Sequence, residues 1–295
     1  MRALLLSFLA LLAAAVTASA GDVLFIGNSY TYGGNEPGVQ KLGGVPKLVE
    51  LIAESKGRTI STEMLAVGGK DLGFHLQQPE TEQKVRSKKW DGVVLQDSSS
   101  KATRMGNVAG FFKNGATFYR LIREAAPDAR IVLYETWARG EASPVYSRTP
   151  KPNAFMNPAE MTSEVVRNYT EQERRLESLD PGQQVALAPV GAAFQLCKEA
   201  YPDISIYTED SHHANAAGIY LSALVLYTTL SGDSPIGATH NFPGVAIPSD
   251  VAVHLQEIAE KAVATPRDAM RPEVDKRLTA KSESHWIAPN RSSSE

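Results

Sequence analysis

The 295-residue chain has a single cysteine, Cys197, so no intrachain disulfide framework can form. It also lacks an excess of either charge: 30 lysines and arginines stand against 33 aspartates and glutamates, a formal net charge of -3. With no block of basic residues there is no electrostatic footprint for nucleic acid, and no nucleic-acid partner is expected. Beyond the first twenty residues, no apolar run reaches the roughly 18 to 20 residues that span a bilayer. The most apolar stretch, residues 214–230, is interrupted by Asn215, Gly218, Ser222, Thr228 and Thr229 and reads as a buried helix. Two familiar motifs are missing as well. No G-x-G-x-x-G follows the first strand-like run, and Thr31 stands where a G-x-S-x-G nucleophile elbow needs its last glycine.

What is present is the composition of an ordinary globular protein, 43% hydrophobic and 21% charged, long enough to bury a full-sized core. The first twenty residues read differently. Arg2 precedes an apolar run over residues 3–16, and Ala18-Ser19-Ala20 forms a small-x-small cleavage site before Gly21. That is the anatomy of a cleavable export signal, and the run is too short for a transmembrane anchor. The expectation is cleavage after Ala20 and a secreted or periplasmic protein with no stable membrane insertion afterwards. Residues 21–265 carry no linker or repeat and read as one domain. Residues 266–295, with Pro266, Pro272 and Pro289 among charges and serines, read as a polar tail or extension.

Within residues 21–265, short apolar runs alternate with longer amphipathic ones. Strands are expected at 23–26, 59–66, 92–95, 130–134 and 184–187. Helices are expected at 46–55, in part of 72–87 (broken at Pro79), and at 107–125, 158–179, 192–200 and 214–230. Strand–helix alternation with continuous apolar strands implies an α/β fold, a three-layer α/β/α sandwich whose central sheet is mostly parallel and covered on both faces.

In such sheets chemistry is found at the carboxyl ends of the strands. After the first strand comes Gly27-Asn28-Ser29-Tyr30-Thr31, where a serine hydroxyl sits at a strand-to-helix turn; taken alone it is equally a helix cap. Near the other end lies Asp210-Ser211-His212-His213-Ala214-Asn215-Ala216-Ala217-Gly218. On a loop, Asp210 can accept from the Nδ1–H of His213 and leave its Nε2 as a base. The same residues allow His212 as the base, or Asp210, His212 and His213 as metal ligands, although no further His/Cys cluster accompanies them.

The combination of the two features resembles the SGNH (GDSL-type) serine hydrolase superfamily. The stretch from Asp210 to Gly218 is similar to its terminal D-G-x-H-x-N-x-x-G block with Ser211 for the first glycine, and Gly27-Asn28-Ser29 stands where its Gly-Asp-Ser block sits. Val67-Gly68-Gly69-Lys70-Asp71-Leu72 resembles the block that supplies a glycine N–H to the oxyanion hole, with Gly69 the better match. Val93-Val94-Leu95-Gln96-Asp97-Ser98-Ser99 falls where the family carries an oxyanion-hole asparagine, here Gln96, as in a divergent bacterial branch reading Gly-Asn-Ser and Leu-Gln-Asp. The resemblance spans residues 22–230. It implies a flavodoxin-like sandwich and an ester hydrolase without cofactor or metal, with Ser29 as nucleophile, His213 as base and Asp210 orienting it. It also implies an oxyanion hole of the Ser29 and Gly69 N–H groups and the Gln96 amide, whose NH₂ matches that of asparagine on a longer stem.

Asn28 and Tyr30 flank the nucleophile, and Thr136 and Trp137 follow the fourth strand with Arg139; these are expected to line the substrate cleft. The substrate implied is a small-molecule or carbohydrate ester, a short acyl or O-acetyl group, with lipid esters or thioesters as alternatives. A second reading is a non-catalytic carbohydrate- or envelope-binding module on the same fold, and a third is a metal-dependent hydrolase. Cys197, among Phe194, Leu196 and Ala200, reads as a small buried hydrophobe.

Overall fold

The computed structural model describes residues 21–147, 151–183 and 185–266. The signal-like segment, nearly all of the expected tail, and Gln184 lie outside the described residues. The run Val23 to Ile26 forms the middle of a strand, β1 (Asp22–Gly27), whose four apolar side chains are fully buried. Alternation sends them to opposite faces: Val23 and Phe25 join one core, Leu24 and Ile26 the other. A strand apolar on both sides needs helices on both sides, and the chain supplies them.

After β1 come α1 (Ser29–Tyr32), α2 (Pro37–Leu42) and α3 (Gly44–Ser55), then β2 (Ser61–Ala66), α4 (Leu72–His75), α5 (Pro79–Arg86) and β3 (Gly92–Leu95). Next are α6 (Val108–Ala125), β4 (Arg130–Tyr134), α7 (Pro158–Glu177), β5 (Val185–Ala188), α8 (Val190–Ala200) and α9 (Ala216–Ser231). A hairpin of β6 (Asn241–Phe242) and β7 (Val245–Ala246) precedes α10 (Ser249–Ala264).

The five long strands are parallel in the order β2-β1-β3-β4-β5. Helices α3, α8, α9 and α10 cover one face, and α5, α6 and α7 the other, giving a three-layer α/β/α sandwich. The coverage is incomplete at one edge, where β2 is half-exposed along its length. Helix α9 is buried on nearly every side because it sits between the sheet, α3 and α10. That environment explains its all-round apolar sequence. Pro46 is the third residue of α3, which begins earlier than its sequence pattern implies.

Helix α10 and the hairpin were not anticipated from the sequence. In α10, Ala252, Leu255, Ile258, Ala259 and Ala262 are buried at helical spacing against α8 and α9. The strand order reverses at β1: its chain continues to β2 on one side, and the next strand, β3, joins on the other. In open α/β sheets ligands bind at such a switch point, at the carboxyl ends of the strands, and Ser29 follows β1 directly there. No helix among the described residues is long and apolar enough to cross a membrane.

Candidate active site

The strand-to-helix turn after β1 is held from three directions through Asn28. Its side chain caps α1 by accepting from the Tyr30 N–H at 3.1 Å. Its Nδ2 donates to the Lys70 carbonyl at 2.8 Å, tying the Val67–Lys70 turn to the serine turn. Its backbone N–H donates to Gln96 Oε1 at 2.9 Å. Gly27 is needed just before it, because a Cβ there would lie 2.6 Å from Gln96 Oε1. Ser29 is thereby fixed at the first position of α1, half-buried, with its hydroxyl free to face the loop that leads into α9.

That loop is built around Asp210. Its Oδ1 accepts from the N–H groups of His212 and His213 and from Thr208 Oγ1, each at 2.8 Å. The turn closes with Ser211 at φ +52°, a left-handed conformation that a glycine adopts with less strain. The other oxygen, Oδ2, lies 2.6 Å from His213 Nδ1 and also accepts from Asn35 Nδ2 at 3.0 Å. Burial opposes ionisation of Asp210, but the hydrogen bonds from the His213 ring, the His213 N–H and Thr208 outweigh it. The carboxyl is held below its usual range. An ionised carboxylate only accepts, so Nδ1 of His213 carries the proton, and Nε2, 3.1 Å from Ser29 Oγ, accepts from the serine hydroxyl. Residues 184 positions apart in sequence thus form one hydrogen-bonded chain from Ser29 through His213 to Asp210.

The loop is clamped from below. Tyr30 OH and Trp137 Nε1 both donate to the His212 carbonyl at 3.1 Å, while the Tyr30 and Trp137 rings stack at 3.8 Å and Trp137 stacks on Phe194 at 4.5 Å. Arg139 donates to Tyr30 OH at 2.9 Å and to Ser99 Oγ at 3.0 Å, and Ser99 Oγ lies 3.3 Å from His212 Nε2. His212 stacks on His213 with ring centroids 4.3 Å apart. Side-chain ligand atoms of Asp210, His212 and His213 lie within 4.8 Å of one another, as a metal site would require, but the Asp210 oxygens and His213 Nδ1 already bond to each other and to the loop.

Several expectations from the sequence need correction. Gln96 does not turn its amide toward the cleft. It is buried, its Oε1 accepts from Asn28 N–H and Thr31 Oγ1, and its Nε2 donates to the Asp97 carbonyl. Because β3 ends beneath the serine turn, the amide oxygen holds that turn while the NH₂ bonds back to the neighbouring Asp97 carbonyl. Asn28, Tyr30, Thr136 and Trp137 do not line an open cleft either. All four are buried, since the segment after β4 folds over the sheet edge and packs the Trp137 ring between Tyr30 and Phe194.

Gly69 stands in a turn at φ +69° with open space about it, and neither its N–H nor that of Ser29 has a hydrogen-bond partner among the described residues. Cys197 is buried, and burial pushes its thiol up to about 11. Asn35 and Ser99 were not anticipated. The Gly33-Gly34-Asn35 run signals a turn, but nothing local shows that the Asn35 amide reaches Asp210.

No family profile and no curated protein sequence matches the chain. Solved structures do. A DUF4886 family protein from Bacteroides uniformis superposes with a TM-score of 0.65 at 18% identity, over 83% of this chain and 95% of that one. A protein assigned as a GDSL-like lipase from Parabacteroides merdae gives 0.51 at 14% identity, over 72% and 96%. The lipase Lip_vut3 from a goat rumen metagenome gives 0.50 at 13% identity, over 70% and 96%. The chain therefore has the three-layer α/β/α fold found in GDSL-type hydrolases.

Proposed function

We propose that this chain is an exported serine hydrolase of the SGNH superfamily that cleaves a short acyl ester through an acyl-enzyme. The observation that carries this reading is the hydrogen-bonded chain Ser29–His213–Asp210, standing at the switch point of the sheet. Ser29 Oγ attacks the ester carbonyl while His213 Nε2 takes its proton. Asp210 holds the ring tautomer and stabilises the imidazolium. The imidazolium then protonates the departing alcohol, and water, activated by the same base, releases the acid from Ser29. The unpartnered N–H groups of Ser29 and Gly69 receive the developing oxyanion, where one donor contributes about 3 to 4 kcal/mol of transition-state stabilisation. With Gln96 committed beneath the turn, those two backbone groups carry that task. The cavity beside the catalytic loop mixes apolar residues such as Ala138, Pro158 and Phe194 with polar ones such as Asn157, Thr162 and Gln195, which suits a small ester carrying both kinds of group.

The test is labelling with a fluorophosphonate, together with 4-nitrophenyl acetate hydrolysis, in the wild type and in Ser29→Ala, each with and without chelator. Wild-type labelling and turnover that vanish in Ser29→Ala and ignore chelator are expected. Labelling that persists in Ser29→Ala overturns the nucleophile. Turnover abolished by chelator transfers the chemistry to a metal at Asp210, His212 and His213. A wild type that neither labels nor turns over favours a binding module.

A further inference from the structure

Beside the catalytic loop lies a cavity of about 640 Å³, walled by Arg139 after β4, Asn157 and Thr162 at the start of α7, Gln195 on α8, and Tyr207 and Ser211 of the catalytic loop. Its volume suits a small organic ligand. Arg139 is the unusual residue of this wall. The residue is only 8% exposed, yet no carboxylate lies within ion-pair distance of it among the described residues.

Its two hydrogen bonds go to neutral hydroxyls, Tyr30 OH and Ser99 Oγ, which leaves three of its five N–H groups without a partner among the described residues. The phenols around it offer no counter-charge. Burial raises the Tyr30, Tyr146 and Tyr207 hydroxyls above their ordinary range and keeps them protonated. A buried cation is costly to hold unless an anion meets it, and guanidinium geometry matches a carboxylate in a two-pronged contact.

We propose that Arg139 is a binding site for a carboxylate carried by the ester substrate. The proposal rests on the esterase reading and adds to it a charge preference. Arg139 lines the cavity and is tied to the reacting groups through Tyr30, the residue after Ser29, and through Ser99, which borders His212. Lys198, which donates to the Pro202 carbonyl, also lines the cavity, as do Glu141, Glu199 and Glu209, which stand exposed where water screens them. The three carboxylates disfavour a polyanion, so a single carboxylate is the anion suited to Arg139.

The carboxylate can belong to the alcohol half or to the acyl half, and two substrate pairs separate these. 4-Acetoxybenzoate is compared with its neutral methyl ester, and mono-(4-nitrophenyl) succinate with 4-nitrophenyl acetate, in the wild type, Arg139→Lys and Arg139→Met. The expected result is about a tenfold or greater kcat/KM preference for one anionic ester, expressed in KM. That preference should be reduced in Arg139→Lys and absent in Arg139→Met. Whichever pair shows it identifies the half.

A purely positioning role for Arg139 would lower anionic and neutral esters together and leave the ratios unchanged, which overturns the proposal. So does a wild type without preference in either pair. Independently of turnover, calorimetric titration of 4-hydroxybenzoate and of succinate into Ser29→Ala and into Ser29→Ala/Arg139→Met is expected to show binding only with Arg139 present. Equal binding overturns the proposal. Failure of all esters together with failure of fluorophosphonate labelling would instead strike the esterase reading and leave the titration as the judge of this site.

Discussion

The backbone N–H of Asn28 donates to Oε1 of Gln96 at 2.9 Å, so a glutamine at the end of β3 carries the turn that presents Ser29 at the end of β1. The same oxygen accepts from Thr31 Oγ1 at 2.9 Å. Gln96→Ala would leave two buried donors unsatisfied, each at a cost of about 1 to 3 kcal/mol. The expected outcome is a clearly lowered Tm together with a fall in kcat. An oxyanion donor would instead show a fall in kcat of about 100-fold at an unchanged Tm. Calorimetry and 4-nitrophenyl acetate kinetics on the same preparation distinguish them.

Asp210→Asn keeps a similar shape and one acceptor oxygen but allows the amide nitrogen to face His213, favouring the wrong tautomer. A loss in kcat of roughly 10³- to 10⁴-fold is expected, with KM little changed. A loss below tenfold in steady-state assays would remove Asp210 from its orienting role.

Asp97 is buried, accepts from the N–H groups of Leu72 and Ser98, and is pushed up to about 6 by burial, which those hydrogen bonds only partly offset. Its folded form therefore favours the protonated acid. This contribution to stability is fully present below the unfolded value near 3.8 and is lost as the pH rises through about 6. At neutral pH the ionised group costs about 3 kcal/mol. Asp97→Asn removes that titration. Relative to wild type, the variant is expected to gain stability between pH 4 and pH 7.5 in urea unfolding, and a pH-independent difference would contradict this.

The His212 carbonyl receives two donors, Tyr30 OH and Trp137 Nε1, both at 3.1 Å. Tyr30→Phe and Trp137→Phe each remove one donor while keeping an aromatic ring in place. The lost bond to the carbonyl is expected to cost about 1 kcal/mol in each single variant, with a further cost in Tyr30→Phe, where Arg139 loses its acceptor, and in Trp137→Phe, which leaves a cavity in the core. The pair is expected to cost more than the sum, because only the double variant leaves the carbonyl bare. Strict additivity in thermal unfolding would mean the carbonyl is not shared in this way.

Much of the architecture was legible along the chain because its signals are local. Val23 to Ile26, Gly92 to Leu95 and Arg130 to Tyr134 announce strands by continuous apolarity, and Asn107 and Asn157 mark helix starts that the caps of α6 and α7 occupy. Helix α10 carried the same kind of periodicity, and the apolar positions from Ala252 to Ala262 would have revealed it. That Asp210 could meet His213 was readable for a similar reason, since three residues on one turn can place the two side chains together.

What the sequence alone determined was therefore the strand–helix order, the position of Ser29 after the first strand and the loop on which Asp210 stands with two candidate histidines, His212 and His213. Only the tertiary structure decided where the amide of Gln96 points, that Asp210 meets His213 rather than His212, that Thr136 and Trp137 are buried, that Asn35 reaches Asp210, and that Arg139 stands buried with no carboxylate at ion-pair distance among the described residues. The reason is physical. Secondary structure and contacts within one turn follow from neighbouring residues, whereas the direction of a side chain at a strand end is set by which distant segment packs over it.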